Sequence, residues 1–226
     1  MKSVEIKNSS IIEDLNVFLD IKDNYIDVLE CQDKHLSKEE REYLISEEYM
    51  EKIISLKNRH NGFPERVVSY SLLKNNIEFS KQAKQNSVPK IKKLSSLYNT
   101  FNEEFKAKYC IKRTALSAIY PPGGMISWHN NANASAYNLL FTWSETGDGW
   151  FKYRDGTTKE IITVHDVPGW QFKYGYFGGY DDPETDTIYH AASTNCWRIT
   201  VAFTFDRSTD SELLQKWFLE DITTEL

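Results

Sequence analysis

The sequence predicts a mainly β chain with flanking helices (an α+β class), in which a sandwich or barrel sits between two helical segments. Two changes of texture predict this. Residues 1 to about 110 are rich in Lys, Glu, Asn, Leu and Ile and poor in Gly, as helices are. From about Ile111, short runs of aromatic and β-branched residues alternate with Pro121-Pro122-Gly123-Gly124, Thr146-Gly147-Asp148-Gly149, Asp155-Gly156, Pro168-Gly169 and Gly178-Gly179. Evenly spaced strands between such turns indicate a closed or two-layered β fold. A single domain over 1–226 is expected: helical support over 1–110, the β core over 111–206 and a C-terminal helix over 207–226. No repeat or low-complexity linker interrupts it.

The elements follow in order. Ser37 with Glu40 forms a capping-box pattern that opens a helix over Lys38 to Lys57. Ser87 can cap a second helix with Pro89 in its first turn. Ile91, Leu94, Leu97, Phe101, Phe105 and Tyr109 then recur at helical spacing, an apolar stripe expected to lie on the sheet. After Asp206 the buried face of a last helix is expected from Leu213, Leu214, Trp217, Phe218 and Ile222. Trp128, Trp143, Trp150 and Trp170 read as core residues, and His35, His60 and His165 as surface or structural ones. Lys81, Lys84, Lys90, Lys92 and Lys93 read as a solvated face, the alternative being a basic stretch that guides an acidic substrate or nucleic acid.

Composition excludes several function classes. The 226 residues carry a net charge of −6, against the many phosphate-facing Lys and Arg that bulk nucleic-acid binding needs. Three separated cysteines, Cys31, Cys110 and Cys196, with no C-x-x-C pair, fit neither a disulfide framework nor a zinc knuckle and suggest a reducing compartment. No apolar run approaches a bilayer span, and Met-Lys-Ser-Val-Glu-Ile-Lys lacks the apolar core of a signal peptide. A soluble, cytoplasmic protein without a membrane partner is the expectation.

The chemistry concentrates in two stretches. In Met125-Ile126-Ser127-Trp128-His129-Asn130-Asn131, a strand would turn His129 and Asn131 to one side. Such a pair can hold two adjacent corners of a metal's coordination sphere, with His190, about sixty residues on, as the third ligand. In Trp197-Arg198-Ile199-Thr200-Val201-Ala202-Phe203-Thr204-Phe205, strict alternation puts Arg198, Thr200, Ala202 and Thr204 on one face. An arginine buried there needs an anionic partner. Its fork suits a carboxylate, with the Thr200 hydroxyl assisting.

The order His-x-(acid), a distant His, and a basic residue eight positions later resembles the Fe(II)/2-oxoglutarate-dependent oxygenase superfamily, with prolyl-hydroxylase-like spacing. The intervening text agrees. Tyr120-Pro121-Pro122-Gly123-Gly124 is similar to the family's Tyr-x-Pro-Gly lead-in. Gly147-Asp148-Gly149-Trp150-Phe151-Lys152-Tyr153 resembles its Gly-Gly-Glu-Leu-x-Phe strand, and Val167-Pro168-Gly169-Trp170 its Pro-x-x-Gly turn. The match spans about 115–206, and the first hundred residues contribute nothing to it. The resemblance implies a double-stranded β-helix (jelly roll) core, with His129, His190 and Asn131 as metal ligands and catalytic positions. It implies Arg198, Thr200 and Tyr120 as contacts of the cosubstrate 2-oxoglutarate, and Fe(II) and molecular oxygen as further participants. The substrate could be a protein side chain, a nucleobase or a small metabolite, since fold does not choose among them.

The family pattern has Asp or Glu where this chain has Asn131. A neutral amide oxygen binds Fe(II) more weakly than a carboxylate. Four readings follow: Asn131 ligates; Asp148, Asp181 or Asp182 reaches the metal instead; the corner holds water or halide, as in related halogenases; or the site is degenerate. Asn133 is a poorer substitute, because a continuing strand carries it away. Three functions are therefore weighed: an oxygenase, most simply a hydroxylase; a non-catalytic jelly-roll binding module; and a halogenase variant, disfavoured because Asn is bulkier than the Ala or Gly expected there.

Overall fold

The computed structural model describes residues 1–56, 59–73, 88–205 and 209–225. Its framework is eight antiparallel strands, β4 (Arg113–Tyr120), β5 (Met125–His129), β6 (Ala136–Ser144), β7 (Gly149–Arg154), β8 (Ile161–His165), β9 (Gly169–Phe177), β10 (Tyr189–Thr194) and β11 (Arg198–Phe205). They fold into two facing sheets, one containing β9-β6-β11-β4 and the other β5-β10-β7-β8. Every consecutive pair except β7–β8 crosses from one sheet to the other, which is the winding of a jelly roll. The expected core, a double-stranded β-helix flanked by helices, is the observed one.

The N-terminal half is less purely helical than its composition predicts. β1 (Lys2–Val4) pairs with β9, β2 (Val67–Val68) with β5, and β3 (Tyr70–Ser71) with β4, so three short strands from this half widen both sheets. Val67-Val68-Ser69-Tyr70 is too short for a period to show, and the open sheet edges supply the pairing partners.

Among the described residues four α-helices precede β2: α1 (Ser9–Leu15), α2 (Val17–Tyr25), α3 (Lys38–Leu44) and α4 (Glu47–Leu56). The capping box at Ser37 forms as expected, with Ser37 Oγ accepting from Glu40 N at 3.1 Å and Ser37 N donating to Glu40 Oε2 at 2.8 Å. The single helix expected over Lys38 to Lys57 is instead two, broken at Ile45–Ser46. The Ser46 hydroxyl donates to Tyr43 O and accepts from Tyr49 N, closing one helix and capping the next. Lys57 lies outside the described residues, as do Ser87, Lys81 and Lys84 of the readings above.

α5 (Val88–Lys108) is the amphipathic helix the spacing predicts; Leu94, Tyr98, Phe101 and Phe105 are buried. It lies with α2 on the outer face of the β9-β6-β11-β4 sheet, where Phe105 stacks on Phe203 at 4.9 Å and meets Phe18, Phe141, Ile199 and Val201 in one cluster. α6 (Thr209–Thr223) covers the same face with Phe218 and Ile222. Leu213 and Trp217, expected on its buried face, are instead exposed. Phe218 and Ile222, four apart, define the contact stripe, and Leu213 and Trp217 form the neighbouring i, i+4 row that it leaves out. α3 and α4 cover the second sheet, where Trp128 is fully buried against Tyr49 and Met50 and its Nε1 donates to Ile45 O at 3.0 Å. Trp143, Trp150 and Trp170 pack partly buried against these outer clusters. With both outer faces sealed, the space between the sheets is left for function. Among the described residues no helix is long and apolar enough to cross a membrane.

Candidate functional site

A cavity of about 480 Å³ lies between the sheets, and all six residues singled out in the sequence line it: His129, Asn131 and His190 from one side, Tyr120, Arg198 and Thr200 from the other. The alternation along β11 determines the second group. Arg198, Thr200, Ala202 and Thr204 all reach the cavity, while Ile199, Val201 and Phe203 pack outward on the helices.

The histidines meet through a local irregularity. His190 pairs with His129 and Ala192 with Ile126, so β5 carries one residue too many between Ile126 and His129. This bulge turns both Ile126 and His129 into the cavity although they are three apart. The two imidazole centroids are 4.1 Å apart. His129 Nδ1 lies 2.8 Å from Ser127 O, and His190 Nδ1 lies 3.2 Å from Ile188 O. A carbonyl can only accept, so each Nδ1 carries the proton and each Nε2 keeps its lone pair, the tautomer a metal requires. Both rings are neutral. Burial lowers His129 to about 4, and burial together with the nearby His129 holds His190 well below the ordinary histidine range.

Asn131 reaches this place by a different route from the one expected. β5 ends at His129, so Asn131 is not two steps along a strand; Asn131 and Ala132 both adopt left-handed backbone, with φ of 65° and 52°. Asn tolerates that conformation better than most residues. The turn is pressed in place by the segment around Gly62, whose O accepts from Asn130 N at 3.2 Å. Gly62 itself sits at φ +75°, and a Cβ there would lie 2.3 Å from the Ala132 backbone. Tyr180 ties the same segment down by donating to His60 O at 2.6 Å. Asn133, expected to be a poor substitute, is exposed.

The acids considered as replacements do not come to the cavity. Asp182 accepts from Tyr176 Oη and Gly179 N and from the Ser135 hydroxyl, fastening a loop, and Asp148 accepts from Asn195 Nδ2. Neither they nor Asp181 line the cavity. Among the described residues no three His, Cys, Asp or Glu side chains come together as a metal cluster. A metal here would have two imidazoles and the Asn131 amide oxygen as protein ligands. His35, His60 and His165 stay outside the lining, as expected.

Sequence reasoning missed the partner of Arg198. Arg198 Nε donates to Asp166 Oδ2 at 2.7 Å and its Nη1 donates to Thr200 Oγ1 at 2.5 Å. Lys173, with no exposed surface, donates to Asp166 Oδ1 at 3.3 Å and to Gln171 Oε1 at 2.8 Å. Burial would raise Asp166, but Arg198 and Lys173 outweigh it and the carboxyl is held below its ordinary value. Burial lowers Lys173 to about 8, against the opposing pull of Asp166. Two cations thus share one carboxylate, leaving a buried surplus of one positive charge at neutral pH. The guanidinium also lies over the Tyr120 ring, 5.6 Å from its centroid. Burial raises the Tyr120 phenol to about 12, so it stays a hydrogen-bond donor. Thr142, paired with Thr200 and on the same face of β6 as the cavity-lining Leu140, has a buried hydroxyl with no partner among the described residues.

Gly149 makes room for this cluster: a Cβ there would lie 2.7 Å from Asp166 Oδ2.

No protein-family model matches the sequence, and no curated protein does either. Among solved structures, a prolyl-4-hydroxylase from Pseudomonas putida is similar at 9% identity over 70% of this chain and 83% of that one, with a TM-score of 0.31. The viral collagen prolyl hydroxylase of Paramecium Bursaria Chlorella virus-1, in its 2OG complex, is similar at 13% identity over 71% and 91%, also at 0.31. The chain spans about half the length of others, such as Peruvianin-I, a cysteine peptidase from Thevetia peruviana latex, at 11% identity over 39% and 48% and a TM-score of 0.28. At such scores the likenesses decide nothing; the jelly roll rests on its strand order.

Proposed function

We propose that the chain is an Fe(II)- and 2-oxoglutarate-dependent oxygenase, most simply a hydroxylase. One observation carries this: two neutral imidazoles, each with Nδ1 tied to a strand carbonyl, face the same cavity as a buried guanidinium in cationic surplus. The donor set fits the metal, and the surplus charge around Arg198 fits a carboxylate.

Iron with 2-oxoglutarate would supply the oxidising power the side chains lack, coupling loss of carbon dioxide from the cosubstrate to oxidation of a substrate C–H bond. The chain's residues do the rest. His129 and His190 bind the metal through Nε2 without having to lose a proton. Asn131 offers a neutral oxygen at the third corner. Arg198 keeps Nη2 free of protein partners among the described residues and turns it to the distal carboxylate, with Asp166 and Thr200 fixing the plane of the fork. Tyr120 donates its phenolic proton to the same carboxylate. Phe151 and Phe177, whose rings lie 5.7 and 4.8 Å from that of His190, keep water from the metal's inner side.

The test is thermal shift of the full chain under anaerobic conditions with Mn(II) plus N-oxalylglycine, followed by aerobic turnover of 2-oxoglutarate with Fe(II). A rise in Tm with both ligands and succinate formation are expected. No shift, with no iron retained, would overturn the reading. The rival, a binding module with a degenerate centre, draws on Asn131 and the acid-free cavity; ligand-induced stabilisation without any succinate would favour it.

A further inference from the structure

β11 serves as a ruler for the cavity. Arg198 begins the strand and Thr204 lies six residues on, which at about 3.3 Å per residue is about 20 Å. At the Thr204 end a second arginine lines the cavity: Arg113, whose Nε donates to Thr204 Oγ1 at 3.1 Å. That bond leaves the Nη1–Nη2 edge of its guanidinium free, and no carboxylate pairs with it among the described residues. One five-carbon diacid cannot span both arginines. His129 and His190 line the same cavity, and the His190 ring lies 4.8 Å from Phe177, near the Thr204 end of the sheet.

Leu116 follows Arg113 on β4, and Leu73 lies next to that strand because Leu72 N donates to Ser117 O; Phe63, 58% exposed, and Pro64 line the same cavity from the segment that holds the Asn131 turn. Among the described residues the cavity lining contains two arginines and no Asp or Glu. A carboxylate matches the free guanidinium edge, and an apolar body matches the wall next to it.

We infer that the substrate of this site is a hydrophobic carboxylic acid, held by its carboxylate on Arg113 and by its hydrocarbon or aromatic body against Phe63, Pro64, Leu73 and Leu116. The word substrate rests on the oxygenase reading; the binding site does not. Arg113 fixes one end of the molecule, and its body extends toward the histidine pair, so the atom oxidised lies away from the acid.

The test is calorimetric titration of the metal-free full chain with ω-phenylalkanoates of increasing chain length, each beside the alcohol of the same length. At least one acid should bind about tenfold or more tightly than its alcohol, and Arg113→Gln should remove that advantage, with Arg113→Lys restoring part of it. Saturating N-oxalylglycine with Mn(II) should leave the acid's affinity unchanged. Acids binding no better than alcohols, an Arg113→Gln variant that keeps the advantage, or displacement by N-oxalylglycine, which would put the acid on Arg198, each overturn the inference. Because the acid–alcohol comparison and its Arg113 variants use neither metal nor cosubstrate, failure of the oxygenase reading would appear separately, as absent Mn(II) and N-oxalylglycine binding with the acid preference intact.

Discussion

Asp166→Asn tests the buried charge cluster directly. The substitution keeps the shape of the side chain and removes its charge. In the native protein one carboxylate serves Arg198 at 2.7 Å and Lys173 at 3.3 Å, with the Asp166 side chain fully buried. An amide has one oxygen and one NH₂, so it can accept from only one of the two cations and must turn a donor toward the other. Breaking a buried pair costs about 3–5 kcal/mol, because a charge is left uncompensated away from water. In a domain of this size each kcal/mol lowers Tm by about 2–4 °C, so a fall of about 6–20 °C is expected. Urea unfolding at pH 7 followed by circular dichroism reads the same quantity. The double variant Asp166→Asn/Lys173→Met removes the second cation as well and should recover part of the loss. A single variant within about 1 kcal/mol of wild type, or a double variant no better than the single, would refute the claim that the carboxylate holds two buried cations together.

Three further outcomes are expected. Lys173 is held at about 8 in the folded protein against 10.5 as the ordinary value, so the native state gives up this proton first. Its contribution to stability should therefore rise with pH between those values, and the urea-unfolding difference between wild type and Lys173→Met should shift toward wild type by up to about 3 kcal/mol from pH 7 to above pH 10. Gly149→Ala places a methyl group 2.7 Å from Asp166 Oδ2 and should both reproduce part of the Asp166→Asn loss in a thermal melt and weaken N-oxalylglycine binding, whereas Gly156→Ala, which meets Thr185 O instead, should leave that binding unchanged. Gly62→Ala meets both a strained φ of +75° and the Ala132 backbone, so it should destabilise by about 1–3 kcal/mol and loosen Mn(II) binding through the displaced Asn131 turn, measured by calorimetry.

What the sequence made legible is what obeys a short period. The alternation of β11 is sufficient to place Arg198 and Thr200 together inside and Ile199 and Val201 outside, and the five turn signals mark five of the seven connections between the core strands, leaving β5–β6 and β10–β11 unmarked. Asp166 was not legible for the opposite reason. Its bond to Arg198 spans 32 residues of chain and depends on how the β8–β9 turn folds over the end of β11, which no local pattern encodes. Lys173 lies between Phe172 and Tyr174, and alternation shows only that it faces away from them, not that this side is the interior. The break at Ser46 was hidden because serine is tolerated within helices and becomes a cap only when the backbone leaves the helix. The bulge in β5 and the left-handed turn after it were invisible too. His129 and Asn131 both line the cavity, but not by the expected route, because the strand ends at His129.

That turn bears on why an amide stands at position 131. Left-handed backbone accepts Asp about as readily as Asn, so conformation does not choose between them. Charge does. A carboxylate at 131 would cancel one of the two positive charges in the lining, whereas the amide leaves both guanidiniums without an acid beside them in the lining among the described residues. Negative charge must then enter with what binds. On the proposed reading two anions enter: the cosubstrate, which chelates the metal as it neutralises the surplus around Arg198, and the hydrophobic acid on Arg113. A neutral third ligand weakens the grip on a bare metal ion while strengthening the field that draws both acids in, so metal affinity should depend steeply on the anion present. Asn131→Asp should reverse that balance, tightening Mn(II) alone by tenfold or more while weakening the further gain from N-oxalylglycine. Equal gains in the two proteins would show that the amide is not there for its charge.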